Sequence, residues 1–247
     1  MGRAYAFSDI HGNYNLFKQI QNYIKDTDHV VCLGDCCDRG PDGIRIIQEI
    51  LKDSRFTYVI GNHEKMLLDA IEAGRRNGVF SMNNFDKNDI KILNHNGQLA
   101  TLQEYQKLSE EEQYNFYKLL HSQETYFVKY KTIEGKELWL CHAGVDPAQH
   151  INSGLNERLV LWDRKHIKCT KWQSELQNVY IIHGHTPVQA LYYYNINIDN
   201  ETHNEIVRYC EGHKIDIDLC TPSSKRVALL DLNTFEAIYF EENEDSE

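Results

Sequence analysis

Six residues of metal-binding type each follow a short apolar run. Asp9 and His11 follow Tyr5–Ser8, Asp35 follows His29–Leu33, and Asn62 follows Phe56–Ile60. His142 follows Leu138–Leu140 and His185 follows Val179–Ile182. The set offers carboxylate, imidazole and amide oxygen but no thiolate, which suits manganese, iron or zinc better than calcium or a structural zinc. A carboxylate can bridge two ions through its two oxygens. Asp35 belongs to the middle one of three units and is the natural bridge. Asp9 and His11 would complete one ion's ligands, and Asn62, His142 and His185 the other's. Two ions roughly 4 Å apart acidify a bridging water, neutralise phosphate oxygens and align the nucleophile with the leaving group. The chemistry implied is phosphate ester hydrolysis. His63, beside Asn62, is then the candidate general acid, with Asp38 to orient it. Arg39 and a more distant arginine would clamp phosphate oxygens.

These residues need elements that bring them together. Leu16, Phe17, Ile20 and Ile24 fall at helical spacing after the first run, and Ile44, Ile47, Ile50 and Leu51 after the second, beyond Pro41. Met66–Ala73 reads as the helix after the third run. Alternating strands and helices imply parallel strands joined by crossovers, with a ligand crevice at the strands' carboxyl ends. The stretch from about Gly74 to Glu137 is polar and mostly helical, with a helix around Glu110–Leu120, and reads as a cap beside that crevice. Strand-like runs at Leu191–Ile198, Ile206–Tyr209, Ile215–Leu219, Val227–Leu232 and Ala237–Phe240 read as an antiparallel sheet packed against the first. The expectation is one α/β domain over residues 1–240, followed by a disordered acidic tail, Glu241–Glu247.

Gly34-Asp35-Cys36-Cys37-Asp38-Arg39-Gly40, Gly61-Asn62-His63-Glu64 and His142-Ala143-Gly144 resemble the signatures of the calcineurin-like metallophosphoesterases. Asp9-Ile10-His11-Gly12 fits the same pattern. Within the family the chain is similar to the PPP-type serine/threonine phosphatases, in particular the compact bacterial and bacteriophage-lambda-like members. The likeness runs in order from Asp9 to about Leu232 and includes Asn96-Gly97 before Thr101-Leu102, and Leu161-Trp162-Asp163-Arg164. It implies a four-layer β-sandwich of two mixed sheets flanked by helices. It also implies Arg164 as the second phosphate-binding arginine, with Asn62 also at the substrate, the acid pair His63 and Asp38, and two divalent ions, manganese first. The substrate implied is a phosphoserine or phosphothreonine protein, with phosphotyrosine also in range. Symmetrical diadenosine tetraphosphate hydrolases, the rival reading, tend to depart from Asp at position 38 and Glu at position 64, and this chain keeps both. A catalytically silent binding module should have lost a ligand. The chain departs from the family at Cys36-Cys37, at His183, and in Ile217–Arg226, which lacks the usual glycines.

Lys plus Arg number 26 against 37 Asp plus Glu, a formal charge of −11. That argues against nucleic acid as partner. No apolar run is long enough to span a membrane. Seven cysteines without repeated CxxC spacing and without an export signal read as free thiols in a reducing cytoplasm. Cys36-Cys37 reads as close packing, with a redox-sensitive thiol as the sharper alternative. The Gly184-His185-Thr186 pattern favours His185 over His183 as ligand. His95, His121, His150, His166, His203 and His213 lack supporting spacing and read as structural or surface residues. Tyr192-Tyr193-Tyr194 reads as part of a strand.

Overall fold

A computed structural model describes residues 2–146, 156–168, 171–197 and 204–242. Three strand–helix units open the chain: β1 (Ala4–Phe7) with α1 (Tyr14–Tyr23), β2 (His29–Cys32) with α2 (Gly43–Lys52), and β3 (Phe56–Tyr58) with α3 (Asn62–Ala73). The strands pair in parallel, Tyr5 opposite Val30 and Val31 opposite Thr57. Along β1, Tyr5 and Phe7 face the helices while Ala4 and Ala6 face the opposite way, as the two-residue strand period requires. Helix α1 is capped by Asn13, whose Oδ1 accepts from the Leu16 amide at 3.1 Å. It buries Leu16, Phe17 and Ile20, and α2 buries Ile44, Ile46, Ile47 and Ile50.

A short ribbon of β4 (Arg75–Arg76) and β5 (Val79–Phe80) leads into α4 (Lys87–His95), α5 (Leu99–Lys107) and α6 (Glu110–His121). The helical insertion ends here, earlier than the sequence suggests. Residues Phe127–Lys131 form β6, paired antiparallel with β7 (Glu137–Cys141). Polarity misleads at this point because β6 is an edge strand and leaves Lys129 and Lys131 in solvent. There follow α7 (Glu157–Trp162), β8 (Val179–His183), β9 (Val207–Tyr209), β10 (Lys214–Asp216), α8 (Thr221–Ser224), β11 (Arg226–Asp231) and β12 (Ala237–Glu241).

Two five-stranded mixed sheets result, ordered β12-β11-β1-β2-β3 and β6-β7-β8-β10-β9. Their inner faces share one apolar core, with Ala6, Val31, Leu33 and Leu230 from the first and Leu140, Ile182 and Ile215 from the second. The C-terminal runs therefore do not make a sheet of their own. β11 pairs with β1 and β12 with β11, while β10 runs parallel to β8 and antiparallel to β9. Nor is Leu191–Ile198 a strand. Val188–Tyr194 is a 3₁₀ helix that leaves Tyr192 and Tyr193 exposed, and Ile198 lies outside the described residues. Glu241 and Glu242 are not a free tail. Glu241 pairs with Arg226, and the Glu242 carboxylate accepts from Asn13 Nδ2 at 2.7 Å. The rest of the expected tail, 243–247, lies outside the described residues, as do His150, Cys169 and His203. Among the described residues no helix is long and apolar enough to cross a membrane.

Candidate active site

β1, β2 and β3 run parallel, so Asp9, Asp35 and Asn62 leave the first sheet at one edge. β7 and β8 are likewise parallel and deliver His142 and His185 from the second sheet. All five side chains are buried. The loops are tightly drawn. Asp9, His11, Asp35, Asp38, Arg39 and His185 all have positive φ, between 46° and 68°, a conformation that costs a non-glycine residue about 1–2 kcal/mol. Backbone bonds hold it: Asp9 N to Gly34 O at 3.1 Å, His11 N to Asp35 O at 3.0 Å, and Arg39 N to Gly97 O at 2.7 Å. Gly34 and Gly61 let two of these loops touch. A Cβ on Gly34 would lie 2.4 Å from the Gly61 nitrogen.

Around Asp35 the ligand atoms converge in two groups. On one side are His11 Nε2, 3.9 Å from Asp35 Oδ2 and 3.9 Å from Asp9 Oδ1. His11 donates its other ring N–H to the Cys37 carbonyl at 2.9 Å, which leaves Nε2 unprotonated. Asp9 is itself oriented by Ser8 Oγ and by the His185 amide at 3.0 Å. On the other side His142 Nε2 lies 3.4 Å from Asp35 Oδ1, 2.8 Å from Asn62 Oδ1 and 3.2 Å from His185 Nδ1. His142 Nδ1 donates to the Leu33 carbonyl at 2.8 Å. Thus all six expected ligands meet, with Asp35 between the two groups. His63 also joins the first group, within 4.8 Å of His11 and Asp35.

The electrostatics follow from packing carboxylates and imidazoles out of water. Burial and the Arg39 guanidinium outweigh Asp35 and depress His11 to about 3. Burial, with His142 and Arg164 nearby, pushes His185 well below its usual value. His142 goes the other way. Burial disfavours its cation, but Asp35 and Asp9 raise it to about 10. Asp35 is held well below the carboxylate range because the surrounding histidines outweigh its burial. Asp9, buried and beside Asp35, rises to about 6. Oxygen and nitrogen donors converging on both oxygens of one carboxylate fit a pair of divalent ions. So does His185 Nδ1, 2.8 Å from Asn62 Oδ1 and 3.2 Å from His142 Nε2. Binding would displace the proton that otherwise serves His142.

Beside this cluster His63 Nδ1 meets Asp38 Oδ2 at 2.7 Å. Asp38 is fully buried. Burial disfavours the cation of His63, but Asp35 and Asp38 prevail and raise it. Arg39 donates to His11 Nε2 at 2.7 Å and to His63 Nε2 at 3.2 Å. Arg164 stands on the opposite side, donating to Thr186 Oγ1 at 3.1 Å and to the His185 carbonyl at 3.4 Å. The two exposed arginines thus flank the cluster. A cleft of about 360 Å³ opens beside His11 and Arg39 and is walled by Pro222 and Lys225. The glycine-poor Ile217–Arg226 segment therefore does reach the site.

The sequence assigns no role to several further contributors. Glu64, fully buried, accepts from the amides of Asp35, Cys36 and Gly61 at 2.8–2.9 Å. Thr101 on α5 accepts from the Asp38 amide at 2.8 Å. Asp218 is buried close enough to Asp9 to be raised well above the carboxylate range, by burial first and by that neighbour second. The alternation in Ile215–Leu219 could have marked Asp218 only as a solvent-facing residue. His183 is fully buried, with Nε2 on the Tyr209 hydroxyl at 2.7 Å, and so packs behind His185. Cys36 and Cys37 are buried, and burial pushes both thiols well up, which favours packing over redox sensing. Cys210 is disulfide-bonded, so the reading of seven free thiols fails there. Cysteine spacing carries no trace of that bond. Cys32, Cys36, Cys37, Cys141 and Cys220 are free.

Known proteins share parts of this sequence and its fold. A segment is 36% identical over 76 residues to serine/threonine-protein phosphatase 2 of Escherichia coli, covering 30% of this chain and 34% of that protein. Another is 38% identical over 68 residues to the symmetrical bis(5'-nucleosyl)-tetraphosphatase of Wigglesworthia glossinidia brevipalpis, covering 26% and 25%. These matches span about a third or less of either relative. The crystal structure of a metallophosphoesterase from Sphaerobacter thermophilus shares the fold with a TM-score of 0.55 at 15% identity, over 96% of this chain and 86% of that one. Residues 2–189 match the calcineurin-like phosphoesterase family, and the chain belongs to that family.

Proposed function

We propose that the protein is a metal-dependent phosphomonoesterase acting on phosphoserine or phosphothreonine in proteins. The observation that carries this is the His63–Asp38 pair, 2.7 Å apart beside the Asp35 cluster. A serine or threonine alkoxide is a poor leaving group and needs a proton in the transition state. A nucleotide leaves as a phosphate and needs none. A buried carboxylate dedicated to a histidine is therefore better explained by an alcohol leaving group.

Asp9, His11 and Asp35 would hold one divalent ion, and Asp35, Asn62, His142 and His185 the other. Manganese, iron or zinc would suit this donor set. When bound, such a pair supplies an activated water and neutralises phosphate charge. The chain's own residues do the rest. Arg39 and Arg164 grip phosphate oxygens from opposite sides, a phosphate competing with the imidazole nitrogens for the Arg39 donors. Asn62, whose Oδ1 meets His142 and His185, would also meet the substrate. Asp38 keeps a proton on Nδ1 of His63, so that Nε2 delivers the second one to the departing oxygen. Burial keeps bulk water from that proton.

The second reading is symmetrical diadenosine tetraphosphate hydrolysis, the activity in the name of the Wigglesworthia relative. The test is to strip metals, restore Mn²⁺, and assay a phosphoserine peptide, a phosphotyrosine peptide and diadenosine tetraphosphate side by side. Metal-dependent phosphate release from the phosphoserine peptide, with the dinucleotide untouched, is the expected result. Fast dinucleotide cleavage with slow peptides would overturn the substrate assignment.

A further inference from the structure

His166, given no role above, sits where the segment carrying Arg164 meets the loop carrying His142. Its side chain is 3% exposed. Ring Nε2 donates to the Ala143 carbonyl at 2.6 Å, and the Ala143 amide donates to the Val160 carbonyl at 2.7 Å. Residues 157–168 thus grip Ala143, the residue after His142, on both of its main-chain polar groups. The ring takes the space beside Gly144, where a Cβ would lie 2.3 Å from ring carbon Cε1 and where φ is +99°. Only glycine leaves room for it. The His166 main chain is fixed as well: buried Lys214 donates from Nζ to the His166 carbonyl at 2.6 Å and lies 3.4 Å from Nδ1. Nε2 therefore carries the ring proton, and Nδ1 faces the ammonium. Edge-on behind it, at 4.9 Å between centroids, is His183, two residues before His185.

We propose that His166 is a positioning residue that sets the His142 loop and Arg164 in register, and so tunes divalent-ion affinity at the Asn62–His142–His185 group together with the grip on phosphate. The inference rests on the reading of that group as a metal site and of Arg164 as a phosphate ligand. The reason is mechanical. Arg164 is exposed, and among the described residues its side chain donates to Thr186 and to the His185 carbonyl. Two residues on, His166 ties the same backbone to the metal-ligand loop. Without that tie the remaining link, from the Ala143 amide to the Val160 carbonyl, lies four residues before Arg164 and holds the arginine in register less firmly.

The test titrates Mn²⁺ calorimetrically into the metal-free, full-length protein and measures kcat and KM on an aryl phosphate. Two controls examine the underlying reading. His142→Ala should lose one of two binding events, and Arg164→Ala should raise KM with Mn²⁺ affinity unchanged. If either control fails, the metal and phosphate assignment falls, whatever His166 does. With the controls in place, His166→Leu should weaken the second Mn²⁺ event by about 10–100-fold, the usual cost of losing a partner behind a ligand, and should raise KM. His166→Gln, whose amide can still donate to Ala143, should recover most of both. His166→Asn keeps polarity but falls short of that carbonyl, and should behave like His166→Leu even if the latter folds poorly. Mn²⁺ affinity and KM within twofold of wild type in the Leu and Asn variants would overturn the proposal, even with a lowered Tm. So would a Gln variant no better than Asn.

Discussion

Glu64→Gln is the change that separates scaffolding from chemistry. Glu64 Oε2 accepts from the amides of Asp35 and Gly61, each at 2.9 Å, and Oε1 accepts from Cys36 at 2.8 Å. One carboxylate therefore holds two ligand-bearing loops together and keeps Asp35 at a φ of 54°. Glutamine has the same shape but only one acceptor oxygen. If that oxygen keeps Asp35 and Gly61, the new NH₂ group points at the Cys36 N–H. A charge-assisted bond, worth about 1.5–3 kcal/mol, is lost, and an orphaned N–H costs about 1–3 kcal/mol more. Part of this is offset, because burial and the Asp35 charge already disfavour the ionised Glu64 and raise its pKa. The net expectation is a loss of about 2–4 kcal/mol, which for a chain of this size lowers Tm by on the order of 10 °C. Calorimetric melting of the metal-free protein reads that term alone. A Mn²⁺ titration then reads the looser Asp35, with affinity expected to fall about 10–100-fold. A variant that melts within about 2 °C of wild type and binds Mn²⁺ equally well would refute the reasoning, since the three amides would then not depend on the carboxylate.

Asp35→Asn should remove nearly all activity and weaken both Mn²⁺ binding events, since Asp35 faces both groups. Full activity in that variant would sink the two-ion arrangement. His63→Asn should lower kcat by about 10²–10⁴ on alkyl phosphates and much less on an aryl phosphate with a good leaving group. Equal losses on the two would argue against His63 as the proton donor. Buried Lys214 is lowered by burial from 10.5 to about 8, so between those pH values the unfolded chain binds more protons and stability climbs with pH. Relative to Lys214→Met, wild-type stability should rise by up to about 3 kcal/mol across that window. Parallel urea-unfolding curves for the two proteins would contradict it.

The convergence of the candidate ligands is legible because each follows an apolar run, and parallel strands converge whatever lies between them. What escaped the sequence depends on partners distant in the chain. Glu64 stands in a recognised motif, yet nothing in that motif shows that its carboxylate serves residues 28 and 29 positions upstream. His166 has no spacing to mark it, because its acceptor is a backbone carbonyl. The C-terminal strands were recognised, but their sheet was not. A period of two gives a strand's faces and never its neighbour, and β11 pairs with β1 from the far end of the chain. Tyr192 and Tyr193 misled for a related reason: a run of aromatics favours a strand on average, whereas here Asn195, in a left-handed conformation, closes a 3₁₀ helix.

The helical insertion also changes meaning once the hydrogen bonds are followed. As a cap it would only border the cleft. Instead Thr101 of α5 accepts the Asp38 amide, and the Gly97 carbonyl accepts the Arg39 amide. Both partners sit at φ 68°, a conformation that neither would keep unaided. Asp38, the partner of the candidate proton donor, and Arg39, a candidate phosphate ligand, are thus held by the insertion, while all six candidate metal ligands come from the two sheets. Damage to α5 should therefore spare metal binding and strike turnover. Thr101→Val, which keeps the side chain's shape and removes the acceptor, should leave Mn²⁺ titration unchanged while lowering kcat on alkyl phosphates by more than on aryl phosphates. A Thr101→Val protein that lost Mn²⁺ affinity in step with activity would place the insertion behind the metal site instead, and this division of labour would be wrong.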